Sequence, residues 1–304
     1  MGPVLSRRGG RRMAAFGLTV AVVALLLGQS AGTSPSPSPN AAVSTAVASL
    51  PRFSITFAAN STAEVTSLVT TDKPYIRSGD SFDLDSGSPS KLPLNVTAIN
   101  YWASLLRAAY PKAVIYAHTS GLAHLATLAA GVSKNISGVY YDYEPRYEPE
   151  FTTNFTQTLA EFANATVIAH TFGLESVGYP FGRPIAVKNW TQYDWDYGKL
   201  AKTVDQLVIQ TQRYCRGGIS KFQNAVSIVL GEYAADGVNG TPIFQITIGN
   251  NTTLTPNEVD PLQAYNCTQV LKDEGLRSLY LWWGPSDNAG VVQFLQEIGR
   301  HAAP

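Results

Sequence analysis

Charge is what this chain has least of. Asp, Glu, Lys and Arg make up 14% of its 304 residues, against about 25% in typical soluble domains. The 22 basic and 22 acidic residues cancel. With no basic tail or patch, nothing argues for a nucleic-acid partner. Cysteine is almost absent: Cys215 and Cys267 are the two in the chain, too few for a zinc-type cluster. A Gly-rich phosphate turn after the first expected strand is also missing, which weighs against a dinucleotide-binding sheet. The N-terminal apolar run, Met13 to Leu27, is shorter than the roughly 20 residues that span a bilayer.

That run follows Arg7, Arg8, Arg11 and Arg12 and leads into Gly28-Gln29-Ser30-Ala31-Gly32. A basic start, an apolar middle and a small-residue end describe a secretory signal. Residues 1–31 are therefore expected to be a cleaved signal peptide, with an uncleaved anchor as the alternative. Residues 32–50, with their Ser-Pro repeats and then Ala, Ser, Thr and Val, have linker composition. Residues 51–304 are left as the folded part. Their length fits one barrel of about 250 residues or two smaller domains.

A surface short of charge must be polar in another way. Asn-X-Ser/Thr triplets begin at Asn60, Asn95, Asn135, Asn154, Asn164, Asn189, Asn239, Asn250, Asn251 and Asn266. In a secreted chain these imply a glycoprotein. In an oxidising compartment Cys215 and Cys267 most simply form one disulfide, with two buried thiols as the alternative.

From Val114 onward the pattern alternates strand, polar loop and helix. Strands are expected at Val114 to Ala117, Ser137 to Glu144, Thr166 to Phe172, Gln206 to Thr211, Ile243 to Ile248 and Leu276 to Trp283. Helices are expected between and after them, the first over Gly121 to Gly131 and the last over Gly290 to Ile298. Phe53 to Ala58 reads as strand one, Pro74 to Arg77 as strand two, and Asn95 to Tyr110 as the helix before strand three. Asp80 to Lys91, rich in Ser, Gly and Asp, reads as an excursion loop. Eight strands alternating with helices describe an α/β chain, a (β/α)8 TIM barrel with an irregular first quarter. The alternative is an open doubly wound sheet. Polar residues in one phase, such as Ser54 and Thr56, Gln210 and Gln212, and Gln245 and Thr247, suit a polar barrel mouth better than a dry core.

Strand four, Gly-Val-Tyr-Tyr-Asp-Tyr-Glu-Pro, carries the chemistry. Side chains two apart share a face of a strand, so Tyr140, Asp142 and Glu144 point one way. Two acids on one face of an aromatic strand are costly unless solvated, paired or used. The C-terminal mouth of a parallel barrel is where such residues act.

With Glu144 on strand four, the segment resembles the chitinase-like family 18 of glycoside hydrolases. That family's strand-four motif is Asp-x-x-Asp-x-Asp-x-Glu. Asp142-Tyr143-Glu144 matches its end, while Tyr140 and Ser137 stand where the two earlier acids would be. Gln210-Thr211-Gln212, with Tyr214 close behind, falls where the family ends strand six in Gln-x-Tyr or Met-x-Tyr. Trp282 and Trp283 fall where it places a Trp on strand eight.

The resemblance implies a (β/α)8 barrel, a carbohydrate partner, no cofactor and no metal. It implies a substrate-assisted retaining mechanism, an exception to the two-carboxylate rule. Glu144 would be the general acid and Asp142 the residue that orients the substrate acetamide. Tyr140, Gln210, Gln212, Tyr214, Trp282, Trp283, His118 and His170 would line the sugar site. No acid on strand seven offers a second carboxylate, which agrees with that mechanism.

Two other readings compete. Loss of the strand-six Tyr and of the two upstream acids suits a catalytically inactive sugar-binding protein. Alternatively, His118 at the end of strand three and His170 at the expected end of strand five could join Asp142 and Glu144 as metal ligands in a metal-dependent hydrolase.

Overall fold

A computed structural model describes residues 53–85, 94–143, 154–180, 196–249, 254, 257–283 and 288–300. The expected signal peptide and linker, and Glu144, lie outside the described residues. The described residues belong to one compact unit, Ser49–Pro304.

Eight parallel strands close into a barrel in sequence order. They are β1 (Ser54–Ala59), β2 (Ser81–Asp85), β3 (Val114–Ser120), β4 (Gly138–Tyr143), β5 (Glu175–Pro180), β6 (Gln206–Gln210), β7 (Ile243–Ile248) and β8 (Ser278–Trp283). The helices that face them are α1 (Thr62–Val69), α2 (Val96–Ala109), α3 (Leu122–Gly131), α4 (Phe155–Thr171), α5 (Tyr197–Ala201), α6 (Gln212–Arg216), α7 (Ile219–Ala235), α8 (Pro261–Asp273) and α9 (Asn288–Glu297). This is the (β/α)8 architecture expected from the sequence. No helix among the described residues is long and apolar enough to cross a membrane.

Several helices start on a side chain that satisfies a free backbone amide. Ser61 caps α1, Asn95 α2, Asn154 α4, Asp196 α5 and Asp260 α8, the last followed by Pro261 in the first turn. Asn95 and Asn154 open Asn-X-Thr triplets, so those asparagines have a structural duty whether or not they carry sugar.

Strand alternation sorts the side chains into two cores. Ile55, Phe57, Phe82, Leu84, Val139, Tyr141, Ile209, Phe244, Ile246, Leu281 and Trp283 point outward and join the helices in the larger core. Ala58, Tyr116, Tyr140, Val177, Tyr179, Val208, Ile243 and Tyr280 fill the barrel interior. Two glycines allow this packing. A Cβ on Gly138 would lie 2.9 Å from Cδ1 of Tyr116, and one on Gly178 would lie 2.9 Å from Leu207 and 3.1 Å from Phe162.

Two expected strands lie elsewhere. Strand two is Ser81–Asp85, inside the stretch expected to be a loop, and the 3-10 turn Lys73–Tyr75 overlaps the start of the expected strand. Phe82 and Leu84 are buried outward while Asp83 points into the lumen. The strand therefore has only two apolar residues to advertise itself. Strand five is Glu175–Pro180, and Thr166 to Thr171 continue α4. Phe162, Ala165 and Ala169 bury one face of that helix at helical spacing. Gly173, at φ +70°, then ends it in the conformation typical of a helix terminus.

Candidate active site

The lumen is aromatic in its middle and polar at its ends. Tyr140, Tyr179 and Tyr280 pack with ring centroids 5.4 to 6.4 Å apart. Toward the N-terminal end of the strands, Tyr116 donates to Glu175 Oε2 at 3.0 Å and Gln206 donates to Glu175 Oε1 at 2.6 Å. Toward the mouth, Asp83, His118 and Asp142 run across three adjacent strands. His118 Nδ1 lies 2.7 Å from Asp83 Oδ2, and Tyr280 donates to the same oxygen at 2.6 Å. His118 Nε2 faces Asp142 Oδ2 at 3.7 Å, close enough for charge interaction but too long for a hydrogen bond.

The imidazole is fixed by its neighbours. Its plane lies 1° from that of Tyr140 with centroids 5.9 Å apart, and Tyr179 meets it at 74° and 5.3 Å. Burial opposes charge on His118, but the Asp83 and Asp142 carboxylates outweigh it and hold its pKa well above the ordinary histidine range. Burial pushes Asp83 and Asp142 upward, with His118 opposing in both cases. Asp142 Oδ1 and Gln245 Oε1 are buried without a hydrogen-bond partner among the described residues. Buried polar atoms are normally paired, so these two have hydrogen-bonding capacity that the described residues do not meet.

The structure places the expected site residues unevenly. Asp142, Tyr140, His118, Gln210 and Trp282 share the lumen-facing phase of β4, β3, β6 and β8, and Gln210 pairs in register with Gln245. Glu144 lies outside the described residues, one position beyond the end of β4. Trp283 is a correction: it is 2% exposed in the outer core, edge-on to Phe57 at 6.0 Å, because it follows Trp282 by one position on a strand. Gln212 and Tyr214 are also off the strand. β6 ends at Gln210, Thr211 donates to the Gln245 carbonyl at 2.7 Å, and the chain turns into α6. Tyr214 packs against the outer core.

His170 is corrected most sharply. It sits in the last turn of α4, half exposed, 2.8 Å from Asp205. That turn leads to the start of β5, at the end of the barrel opposite the mouth. The proposed ligand set of His118, His170, Asp142 and Glu144 is therefore not assembled. The cysteines do meet: Cys215 on α6 and Cys267 on α8 form a disulfide, Cα atoms 6.0 Å apart.

Residues not anticipated from the sequence come chiefly from the misplaced β2 and β5. Asp83 is fully buried, Asp85 half buried at the mouth end of β2, and Tyr179 reaches the lumen from β5. The period-two alternation of Ser81, Asp83 and Asp85 against Phe82 and Leu84 was the available signal.

A closed eight-stranded (β/α)8 barrel with acidic and aromatic residues at its C-terminal mouth has the architecture of many enzymes. The fold is that of the family 18 chitinases, at low sequence identity. A chitinase from Chromobacterium violaceum superposes with a TM-score of 0.57 at 12% identity, covering 82% of this chain and 100% of that one. A class V chitinase from Pseudomonas fluorescens gives 0.54 at 13%, covering 81% and 99%. A family 18 chitinase from Cycas revoluta, a mutant in complex with (GlcNAc)4, gives 0.52 at 10%, covering 81% and 99%. No protein-family model matches the sequence, and no curated protein matches it.

Proposed function

We propose that the chain is a secreted glycoside hydrolase acting on N-acetylated glycans of the chitin type, by substrate-assisted retaining hydrolysis. One observation carries the reading: Asp142 faces the lumen near the mouth end of β4 with Oδ2 toward His118 and Oδ1 buried and without a partner among the described residues. A carboxylate oxygen held ready in an aromatic lumen suits an acetamide N–H. It would also stabilise the positive charge that develops when the acetamido oxygen attacks the anomeric carbon. Glu144, two positions on, would protonate the leaving oxygen. Trp282, partly exposed in the lumen-facing phase of β8, offers a face for a sugar ring. The resemblance at Asp142-Tyr143-Glu144 and the family 18 fold point the same way. The basic and apolar start and the Asn-X-Ser/Thr triplets support secretion and glycosylation.

The test is incubation with N-acetylglucosamine oligomers, following the anomer formed in the first turnovers. Early product that keeps the substrate's β configuration is expected, with activity resistant to chelator. Inverted product overturns the mechanism. Binding without cleavage from acid to neutral pH moves the chain to the sugar-binding reading, which Tyr140 and Ser137 in place of the upstream acids favour. Export is checked on the medium of an expressing culture. N-terminal sequencing should begin near Gly32, and treatment with an N-glycan-releasing enzyme should raise electrophoretic mobility.

A further inference from the structure

We propose that Asp83 and His118 are positioning residues for Asp142, supplying from β2 and β3 the buried anchor that its own strand lacks. The inference rests on the proposed hydrolase reading, in which Asp142 holds the acetamide. The positions two and five before Asp142 on its own segment are Tyr140 and Ser137, neither of which carries a charge to hold it. The anchor comes from the side. Asp83 is fully buried, and its Oδ2 is engaged by His118 Nδ1 at 2.7 Å and Tyr280 at 2.6 Å. The parallel Tyr140 ring and the edge-on Tyr179 ring leave the imidazole with two useful directions, one nitrogen toward β2 and the other toward β4. With both nitrogens protonated each can donate, so a carboxylate on one side fixes a donor on the other. That donor faces Asp142 Oδ2 at 3.7 Å, a gap that a small movement of Asp142 would close. Oδ1 is left without a partner among the described residues and is the atom assigned to the substrate.

A purely structural ion pair explains this less well. Burying a charged pair costs desolvation that the attraction offsets only with good geometry, so such pairs are weak evidence of stabilisation. An apolar pair would join β2 to β3 at lower cost. The pair here also presents its second nitrogen to a carboxylate that has a vacant oxygen. Among the described residues, the charged and titratable groups facing His118 are Asp83 and Asp85 from β2, Tyr140 and Asp142 from β4 and Tyr179 from β5, with Tyr280 of β8 on the same Asp83 oxygen.

The experiment has a spectroscopic and a kinetic arm. The full chain contains four histidines, so the imidazole signals of labelled protein are few, and His118→Gln identifies the one of interest. In wild type His118 should stay protonated well beyond ordinary histidine pH. Asp83→Asn should bring its titration down strongly, and Asp142→Asn measurably. If Asp142→Asn leaves the His118 titration untouched, the two do not interact and the proposal fails. In kinetics on an N-acetylglucosamine oligomer, Asp83→Asn should lower kcat by about 100-fold, the order of loss that a misplaced group can bring. KM should change little and the pH–kcat profile should move. His118→Gln should do the same, and the double variant should be no worse than either single, because the two act as a unit. Folded variants with unchanged kcat and pH profile, or losses that simply add, overturn the pair and leave the hydrolase reading intact. Wild-type protein that never cleaves, but whose His118 titration responds to Asp142→Asn, sinks the hydrolase reading and keeps the pair as the anchor of a sugar-binding carboxylate.

Discussion

Arg300 and Asp80 lock the barrel at the N-terminal end of its strands. The guanidinium places Nη1 2.5 Å from Asp80 Oδ2 and Nη2 2.8 Å from Oδ1, across 220 positions of sequence. Asp80 also accepts from the amides of Ile55 and Arg77, while Arg300 donates to the carbonyls of Phe53 and Tyr75. The pair ties the segment after the last helix to β1 and to the approach to β2. Both residues are almost fully buried, and the two-pronged geometry is the kind that arginine makes and lysine does not.

Removing one partner of a buried pair leaves the other uncompensated, at about 3–5 kcal/mol. Arg300→Met should therefore lower the melting temperature by about 10 °C, given roughly 2–4 °C per kcal/mol for a domain of this size. Arg300→Lys should fall between, keeping the charge and losing the fork. A melting temperature within about 1 °C of wild type for Arg300→Met, on the usual scale of surface substitutions, would remove the pair from the stability argument.

The disulfide gives a second stability prediction. Cys215 and Cys267 are 52 positions apart, and closing a loop of that size restricts the unfolded chain by about 4 kcal/mol in the chain-entropy account. The Gln263 side chain donates to the Cys215 carbonyl at 2.8 Å, a second tie between α6 and α8. Replacing both cysteines by serine should lower the unfolding midpoint, and native protein should show no free thiol on labelling. Two reactive thiols would overturn the pairing.

Much of this barrel was legible in the sequence. Ile243–Ile248 has the bounds expected of strand seven, and strands three, four, six and eight fall close to theirs, because each is an apolar β-rich run between turn signals. The failures have physical causes. Thr166 to Phe172 is rich in β-branched residues and reads locally as a strand. In the folded chain, burial of Phe162, Ala165 and Ala169 on one helix face overrides that preference. β2 failed the other way, since its lumen side carries Ser81, Asp83 and Asp85 and the strand resembles a polar loop. The anchor of Asp142 was hidden with it: Asp142 stands out on an aromatic strand, whereas Asp83 is marked only by the short alternation of Ser81, Asp83 and Asp85 with Phe82 and Leu84.

The raised carboxylates and histidine predict how stability depends on pH. Burial raises Asp83, Asp142 and Glu64 above their ordinary values of 3.8, 3.8 and 4.5, and the facing carboxylates raise His118 above 6.5. Each group then binds protons more readily folded than unfolded. The stabilisation is fully present below the unfolded pKa and is lost as pH rises through the folded one. Asp196 is shifted down, but its effect falls below its ordinary 3.8 and so outside this window. Melting temperature should therefore decline as pH rises above the ordinary carboxylate values and on past the ordinary histidine value of 6.5. His118→Gln should flatten the upper part of that decline. A melting temperature that rises steadily over the same range would contradict the assignment of protons to this cluster.

The last prediction separates the mechanisms that the mouth of the barrel allows. The absence of an acid on strand seven had left the substrate's acetamido group as the nucleophile. β2 now adds two carboxylates. Asp83 is fully buried and engaged by His118 and Tyr280, so it is out of reach of a sugar. Asp85 is half buried at the strand end, and its charge acts on Asp142, which makes it the competing nucleophile. An ordinary retaining pair needs carboxyl groups about 5 to 5.5 Å apart. If the substrate assists itself, Glu144→Gln should lower hydrolysis of a chitin-type oligomer by about 10²- to 10⁴-fold while binding persists. Asp85→Asn should then slow the reaction only modestly, and the de-acetylated oligomer should not be cut. If Asp85 is the nucleophile, Asp85→Asn abolishes turnover and the de-acetylated oligomer becomes a substrate. Equal rates for wild type and Glu144→Gln would take Glu144 out of the chemistry altogether, since the amide has no proton to give the leaving oxygen.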